Sequence, residues 1–134
     1  QASSSAASDV YKRQDLAHNQ NIRNLIKDTQ RSFYDPNIGL IADGRDMGSV
    51  VFPEAGIKIY LDASIEERAK RRQIQLKEKG MEVNMRNLIS SLEDRDLKDK
   101  NRDVSPLLIP EGAKVIDSTN LSIDEVVNKI MDLT

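Results

Sequence analysis

Residues 40–53 read LIADGRDMGSVVFP, and the fold turns on how this stretch is understood. Leu40, Ile41 and Ala42 make a short apolar run of the kind that forms a buried strand. Asp43, Gly44, Arg45, Asp46 and Gly48 follow it almost without a gap. A plain connecting loop has no use for two acids, an arginine and two glycines at the mouth of a strand. A site for a phosphorylated ligand does: arginine forks onto phosphate oxygens, and a carboxylate accepts from amino and hydroxyl groups or holds a hydrated cation. Glycine lets the backbone lie close to a ligand.

On either side of this stretch, helical and strand patterns alternate. Ile22, Leu25, Ile26, Thr29 and Phe33 recur at helical spacing and predict a helix over residues 15–33. Pro36 ends it, because a proline disfavours helical geometry in the residue before it. Three strands are predicted, at Leu40–Ala42, Ile57–Leu61 and Val115–Asp117, the latter two rich in β-branched residues. Ser64 is a good N-cap with Glu67 placed to complete a capping box, and Gly80 is a natural stop. Asn84 to Lys100 reads as a further helix, and Ser122 with Glu125 opens a closing one. Strands alternating with helices predict an α/β fold, a parallel sheet covered by helices. The three strands are expected to end at one edge, beside Asp43 and Arg45. Three strands are few for such a sheet, so the expectation is a fold lacking an N-terminal part. Residues 1–14, QASSSAASDVYKRQ, have no period and no initiating Met. They read as a disordered or foreign tail ahead of a core at 15–134.

Composition narrows the function. Twenty basic against 22 acidic residues give a net charge of −2, unlike the strongly basic balance of a dedicated duplex-binding domain. No run approaches the roughly 18 apolar residues that span a bilayer. With no cysteine, disulfides and thiolate metal sites are excluded. No apolar core of a signal peptide is present, so a cytoplasmic location is expected.

More than half of the basic residues fall between Ser64 and Arg102. Arg68, Arg71 and Arg72 cluster on one predicted helix; Arg95, Lys98 and Arg102 follow on the next at i, i+3, i+7. On charge pattern alone a solvated face of Glu–Arg pairs is the plainer reading. Two features favour a site. Arginine exceeds lysine in the clusters, and Asp99 shares one helical stripe with Arg95 and Arg102. A bare phosphate clamp needs no acid there, whereas a site that reads sugar hydroxyls as well as phosphate does. The single histidine, His18, reads as solvated.

GLIADGRDMGSVVFPEAGIKIYLDASIEERAKRR, followed by LEDRDLKDKNRDVSPL and VIDSTNLSIDEVV, closely resembles bacterial cytidylate kinase, the nucleoside monophosphate kinase that phosphorylates CMP and dCMP. The resemblance runs from about Asp15 to Thr134. Its DGRDMG and RDxxDxNR signatures are specific and stand in order. It implies a P-loop nucleoside-monophosphate-kinase-like parallel sheet with a helical lid at about residues 64–102. It implies ATP as phosphate donor with Mg²⁺, CMP and dCMP as acceptors, and a monomer with no nucleic-acid or membrane partner. By the same resemblance, Asp43 holds the water shell of the nucleotide-bound Mg²⁺, Arg45 grips the CMP phosphate, and Asp46 accepts from the cytosine amino group. Arg23 helps fix the cytosine ring. Arg95 and Asp99 lie near the pentose, with Asp99 accepting from the 2′-hydroxyl, and Arg102 joins the CMP network. Arg71 and Arg72 are the lid arginines that meet the phosphates during transfer, so Asp43, Arg71 and Arg72 form the implied catalytic set. The DSTNLS loop (117–122) passes near the ATP adenine. Position 98 is Lys where some relatives carry Arg, which keeps charge but loses planar contact.

Nowhere do these residues contain G-x-x-x-x-G-K-[ST], the loop whose amides and lysine cradle donor phosphates. The resemblance places that loop, and a small CMP-binding domain, upstream of Arg23. The chain is therefore expected to be an inactive C-terminal fragment of such an enzyme. Two readings from other classes compete. One is a P-loop-free module that binds RNA or nucleotides through the Arg-rich helices. It is weakened by the net charge and by aromatics of only 4%, since single-strand binders stack bases on aromatic rings. The other is a structural helical partner domain, which leaves DGRDMG without a purpose.

Overall fold

The computed structural model describes residues 15, 16 and 18–134; the reading of residues 1–14 as a tail lies outside them. In chain order the elements are α1 (Gln20–Arg31), a π-helical turn (Met47–Val51), β1 (Ile59–Asp62), α2 (Ile65–Glu78), α3 (Met85–Lys100), β2 (Lys114–Asp117) and α4 (Ile123–Met131). The strands β1 and β2 pair in parallel, from Ile59 opposite Lys114 to Asp62 opposite Asp117. The helices α2 and α3 lie in the connection between them and pack on each other. This is a mixed α/β arrangement around a small parallel sheet.

The second and third predicted strands are thus present and parallel, each with its bounds slightly shifted. The first is not. Residues 40–42 carry no regular structure, Ile41 is 100% exposed, and among the described residues the sheet is the β1–β2 pair. Apolar, β-favouring composition does not make a strand without a neighbour to share ladder hydrogen bonds, and 40–42 has none here. The Asp43–Asp46 segment therefore lies in the loop between α1 and the π-turn, not at the end of a strand.

Capping follows the sequence with one change. The Asn19 side chain opens α1 by accepting from the amides of Asn21 and Ile22 at 3.0 and 3.2 Å. At α4 the capping box is complete: Ser122 Oγ accepts from the Glu125 amide, and the Glu125 carboxylate accepts from the Ser122 amide at 2.7 Å. That bond holds the Glu125 carboxyl below the usual carboxylate range. At α2 only half the predicted box forms. Ser64 Oγ accepts from the Glu67 amide at 3.2 Å, but the Glu67 carboxylate accepts from Arg71 instead. The Ser64 amide donates to Thr119 Oγ1 at 2.9 Å. The far end of α2 closes on Gly80, whose φ of 74° suits the paired 2.9 Å bonds from Gly80 to Lys77 and from Met81 to Leu76.

Val51, Ala63, Ala69, Leu88 and Ile116 are the buried apolar side chains among the described residues. Ala69 of α2 and Leu88 of α3 let the two helices come close. Arg68 locks them with a two-pronged bond to Asp96, at 3.0 and 2.6 Å. The sheet faces stay open: Leu61 and Val115 are each 55% exposed. Among the described residues no helix is long and apolar enough to cross a membrane.

Candidate functional site

The loop between α1 and the π-turn is held from both sides by arginine–carboxylate pairs. Asp46 lies just ahead of the π-turn, and its backbone carbonyl accepts from the amides of Val50 and Val51 at 2.9 and 3.1 Å. Its carboxylate accepts from Arg23 of α1. Arg23, in the first turn of α1, and Lys27, one turn further on, share a face; at the end of the helix, Arg31 donates to the Val51 carbonyl at 2.7 Å and pairs with Glu54. The Arg31 guanidinium also stands 6.0 Å from the Phe52 ring centre. Between α1 and the π-turn lies a cleft of about 370 Å³ lined in part by Gln20, Arg23, Asn24, Lys27, Asp46 and Ser105. Gly48 sits where a Cβ would come within 3.1 Å of Pro110. Its missing side chain thus admits Pro110, a neighbour within the chain, where the sequence suggested room for ligand.

The second pair joins the loop to α3. Asp99, only 7% exposed, accepts from Arg45 on one carboxylate oxygen and forms an ion pair with Arg102 at 3.1 Å on the other. Arg102 was expected on the same helical stripe as Arg95 and Asp99, but α3 ends at Lys100. The chain then folds back on α3, with the Leu107 amide donating to the Asp99 carbonyl at 2.8 Å. Ion pairing therefore brings Arg102 to Asp99 where helical spacing does not. The Arg102 Nε is buried with no hydrogen-bond partner among the described residues.

Arg95 completes this cluster. It makes no hydrogen bond or ion pair among the described residues. Although Arg95 is exposed, partial desolvation, and after it the repulsion of Arg45, holds its guanidinium below the usual arginine range; Asp99 and, more weakly, Asp96 oppose this and Arg72 adds to it. Four guanidinium groups, from Arg45, Arg72, Arg95 and Arg102, thus share a neighbourhood with the single buried carboxylate of Asp99.

Other predicted residues stand apart. Asp43 is exposed and bonds to nothing among the described residues. Arg72 reaches only Gln75, at 3.3 Å. Arg71 was expected to meet phosphates during transfer; in this structure its guanidinium is turned to partners within the chain. It bonds Glu67 at 2.8 Å, the Ser118 hydroxyl at 3.1 Å and the Ser118 carbonyl at 2.7 Å. Lys98 is exposed. Among the described residues no three acidic or histidine side chains gather as a cage for a cation. Sequence reasoning missed Arg31, Arg68, Asp96 and Ser118 as organisers of this region. Only the placing of Ser118 in the DSTNLS loop hinted at a role.

The family model for cytidylate kinase matches residues 6–134, reaching upstream of Asp15. The cytidylate kinase of Proteus mirabilis is 53% identical over 108 residues, 81% of this chain and 48% of that protein. That of Colwellia psychrerythraea is 56% identical over 110 residues, 82% of this chain and 48% of its own length. That of Yersinia enterocolitica is 50% identical over 82% of this chain. The chain spans about half the length of the curated relatives it matches. The match to the family model and the likeness to these relatives place it: the chain belongs to the cytidylate kinase family.

Proposed function

We propose that the whole protein transfers the γ-phosphate of ATP to CMP or dCMP, giving CDP or dCDP, and that this chain supplies groups that grip and read the acceptor nucleotide. The observation that carries this is the arginine cluster around Asp99. Arg95 is repelled by Arg45 and Arg72, and the Arg102 Nε is buried without an acceptor. A cluster with more positive charge than its own acid neutralises fits a phosphate dianion.

In this reading Arg45, Arg95 and Arg102 bind the CMP phosphate. Asp99 keeps them in place and has a lone pair left on each oxygen for a 2′-hydroxyl. Asp46, braced by Arg23, accepts from the cytosine amino group at the cleft between α1 and the π-turn. A cleft of about 370 Å³ lies in the range of small-ligand sites. Arg72 meets the moving phosphate.

Asp43, with both oxygens free, fits an ion that arrives on nucleotide phosphates and keeps most of its water, as Mg²⁺ does. Such an ion supplies charge neutralisation on the donor phosphates. Asp43 would orient its water shell. The 134 residues hold no P-loop motif, so this chain by itself transfers no phosphate.

Calorimetric titration of the chain with CMP, with UMP and with a short single-stranded oligonucleotide tests the reading. Heat from CMP well above that from UMP is the expected result. Oligonucleotide binding without CMP binding would replace it with the RNA-binding reading.

A further inference from the structure

Three hydrogen bonds leave the Arg71 side chain, and two of them end on Ser118, the residue that follows β2. Its Nη1 donates to Ser118 Oγ at 3.1 Å and its Nη2 to the Ser118 carbonyl at 2.7 Å. The third, from Nε to Glu67 at 2.8 Å, fixes the guanidinium plane along α2. Ser118 itself is 2% exposed. Its amide and its hydroxyl both donate to the Asp62 carbonyl, at 2.8 and 2.9 Å. It is therefore tied to the end of β1 as well as to β2.

A second bond joins the same two elements. The Ser64 amide, at the start of α2, donates to Thr119 Oγ1. Thr119 is in turn held by Asp117, which accepts from its hydroxyl and its amide at 2.6 and 2.9 Å. The turn leaving β2 thus grips α2 at two points, its N-cap and its second turn. Arg72, the next residue, bonds only to Gln75, while its charge is felt at Arg95.

We propose that Arg71 is a positioning residue: it latches α2 to the turn after β2, so that residues 64–71 form a fixed stem and Arg72 is presented from its end to the arginine cluster. The latch itself rests on the bonds above. The consequence for Arg72 rests on the nucleotide reading of the cluster. A guanidinium suits the task because it serves two acceptors on Ser118 and one on Glu67 from a single plane, and an ammonium cannot span all three.

The test uses the 134-residue chain and its Arg71→Lys, Ser118→Ala and Arg72→Lys variants. Amide hydrogen exchange is read at Glu67 and Arg68 on one side of the latch and at Ser118 and Leu121 on the other. Arg71→Lys is expected to speed exchange on both sides together, by about tenfold or more, with α4 changed less than about twofold. Ser118→Ala, which removes one acceptor, gives the same pattern at smaller size, and it decides the matter if Arg71→Lys does not fold.

A second readout is the guanidinium Nε–Hε resonances of Arg72 and Arg95 during titration with inorganic pyrophosphate. In the unmodified chain both move. In Arg71→Lys the Arg72 response shrinks while that of Arg95 persists. Faster exchange on one side only, an equal effect from Arg72→Lys, or an unchanged Arg72 response overturns the latch. If neither resonance moves in the unmodified chain, the phosphate reading of the cluster fails, and the exchange pattern alone decides whether Arg71 is a latch.

Discussion

Arg45 and Asp99 stand 54 positions apart in sequence and meet as an ion pair between the α1–π-turn loop and helix α3. Asp99 also holds Arg102 at 3.1 Å. One carboxylate therefore keeps two guanidinium groups together in a place where they would otherwise repel.

Asp99→Ala is expected to destabilise the chain by about 3 kcal/mol, the cost of leaving a buried partner uncompensated. The loss should be partly reversed by inorganic phosphate, which can sit between the two freed arginines and stabilises only the folded state. Thermal melts with and without phosphate check this: the gain in Tm should be larger for Asp99→Ala than for the unmodified chain. In the whole enzyme the same change should weaken CMP more than dCMP, because dCMP has no 2′-hydroxyl to lose an acceptor.

Asp46→Ala is expected to separate cytosine from uracil. In the proposed reading the Asp46 oxygen not engaged by Arg23 accepts from the cytosine amino group, while the uracil 4-oxo group repels it. Losing one charge-assisted hydrogen bond lowers kcat/KM for CMP by about 10–150-fold in the whole enzyme. Activity with UMP should change little. Equal losses with CMP and UMP would mean that Asp46 only braces Arg23 and the π-turn.

The helix caps, both paired strands and the DGRDMG and RDxxDxNR signatures were legible because each depends on neighbours in sequence. Ser122 with Glu125, and Gly80 after α2, behave as local rules require. What sequence could not show depends on partners far along the chain. Leu40–Ala42 has the composition of a strand but no strand beside it. Glu67 leaves its capping role for Arg71, which the turn after β2 has drawn to Ser118. Arg102 reaches Asp99 through a chain reversal beyond α3, not through helical spacing. The π-turn at Met47–Val51 has no residue signature that distinguishes it from an ordinary turn.

The Arg68–Asp96 pair gives stability a pH dependence of known sign. The hydrogen bond from Arg68 holds the Asp96 carboxyl below the usual carboxylate range. A carboxyl lowered in the folded state contributes its full stability above its unfolded value, about pH 4. That contribution disappears as pH falls through the folded value. The same bond raises Arg68, already charged throughout this window. With side chains 34% and 29% exposed, the pair contributes about 0.5–1 kcal/mol. Unfolding free energies from urea melts of the chain and of Asp96→Asn should differ by that amount at neutral pH and converge toward pH of about 2.

Arg72→Ala should act on turnover more than on binding. Among the described residues Arg72 has no acidic partner, and its charge acts on Arg95 of the cluster. Contacts to a moving phosphate that strengthen toward the transition state lower kcat when removed and leave ground-state affinity nearly intact. In the whole enzyme kcat should fall by roughly 100-fold, with the calorimetric Kd for CMP changed much less. Loss of CMP binding with normal turnover at saturation would remove Arg72 from the transfer step.

The 134-residue chain should bind CMP and yet leave it unphosphorylated. In the proposed reading part of the grip on the acceptor comes from Arg45, Asp99 and Arg102, which stand together here as ion pairs. Transfer depends on something else, holding two nucleotides in line and neutralising charge on the donor. The backbone cradle and lysine that hold donor phosphates in this class of kinase require G-x-x-x-x-G-K-[ST], and these residues contain no such run. A coupled assay with ATP, Mg²⁺ and CMP should therefore match the blank, while calorimetry on the same sample shows CMP heat. CMP-dependent ATP turnover by the purified chain would mean that the donor is held by a device other than a P-loop.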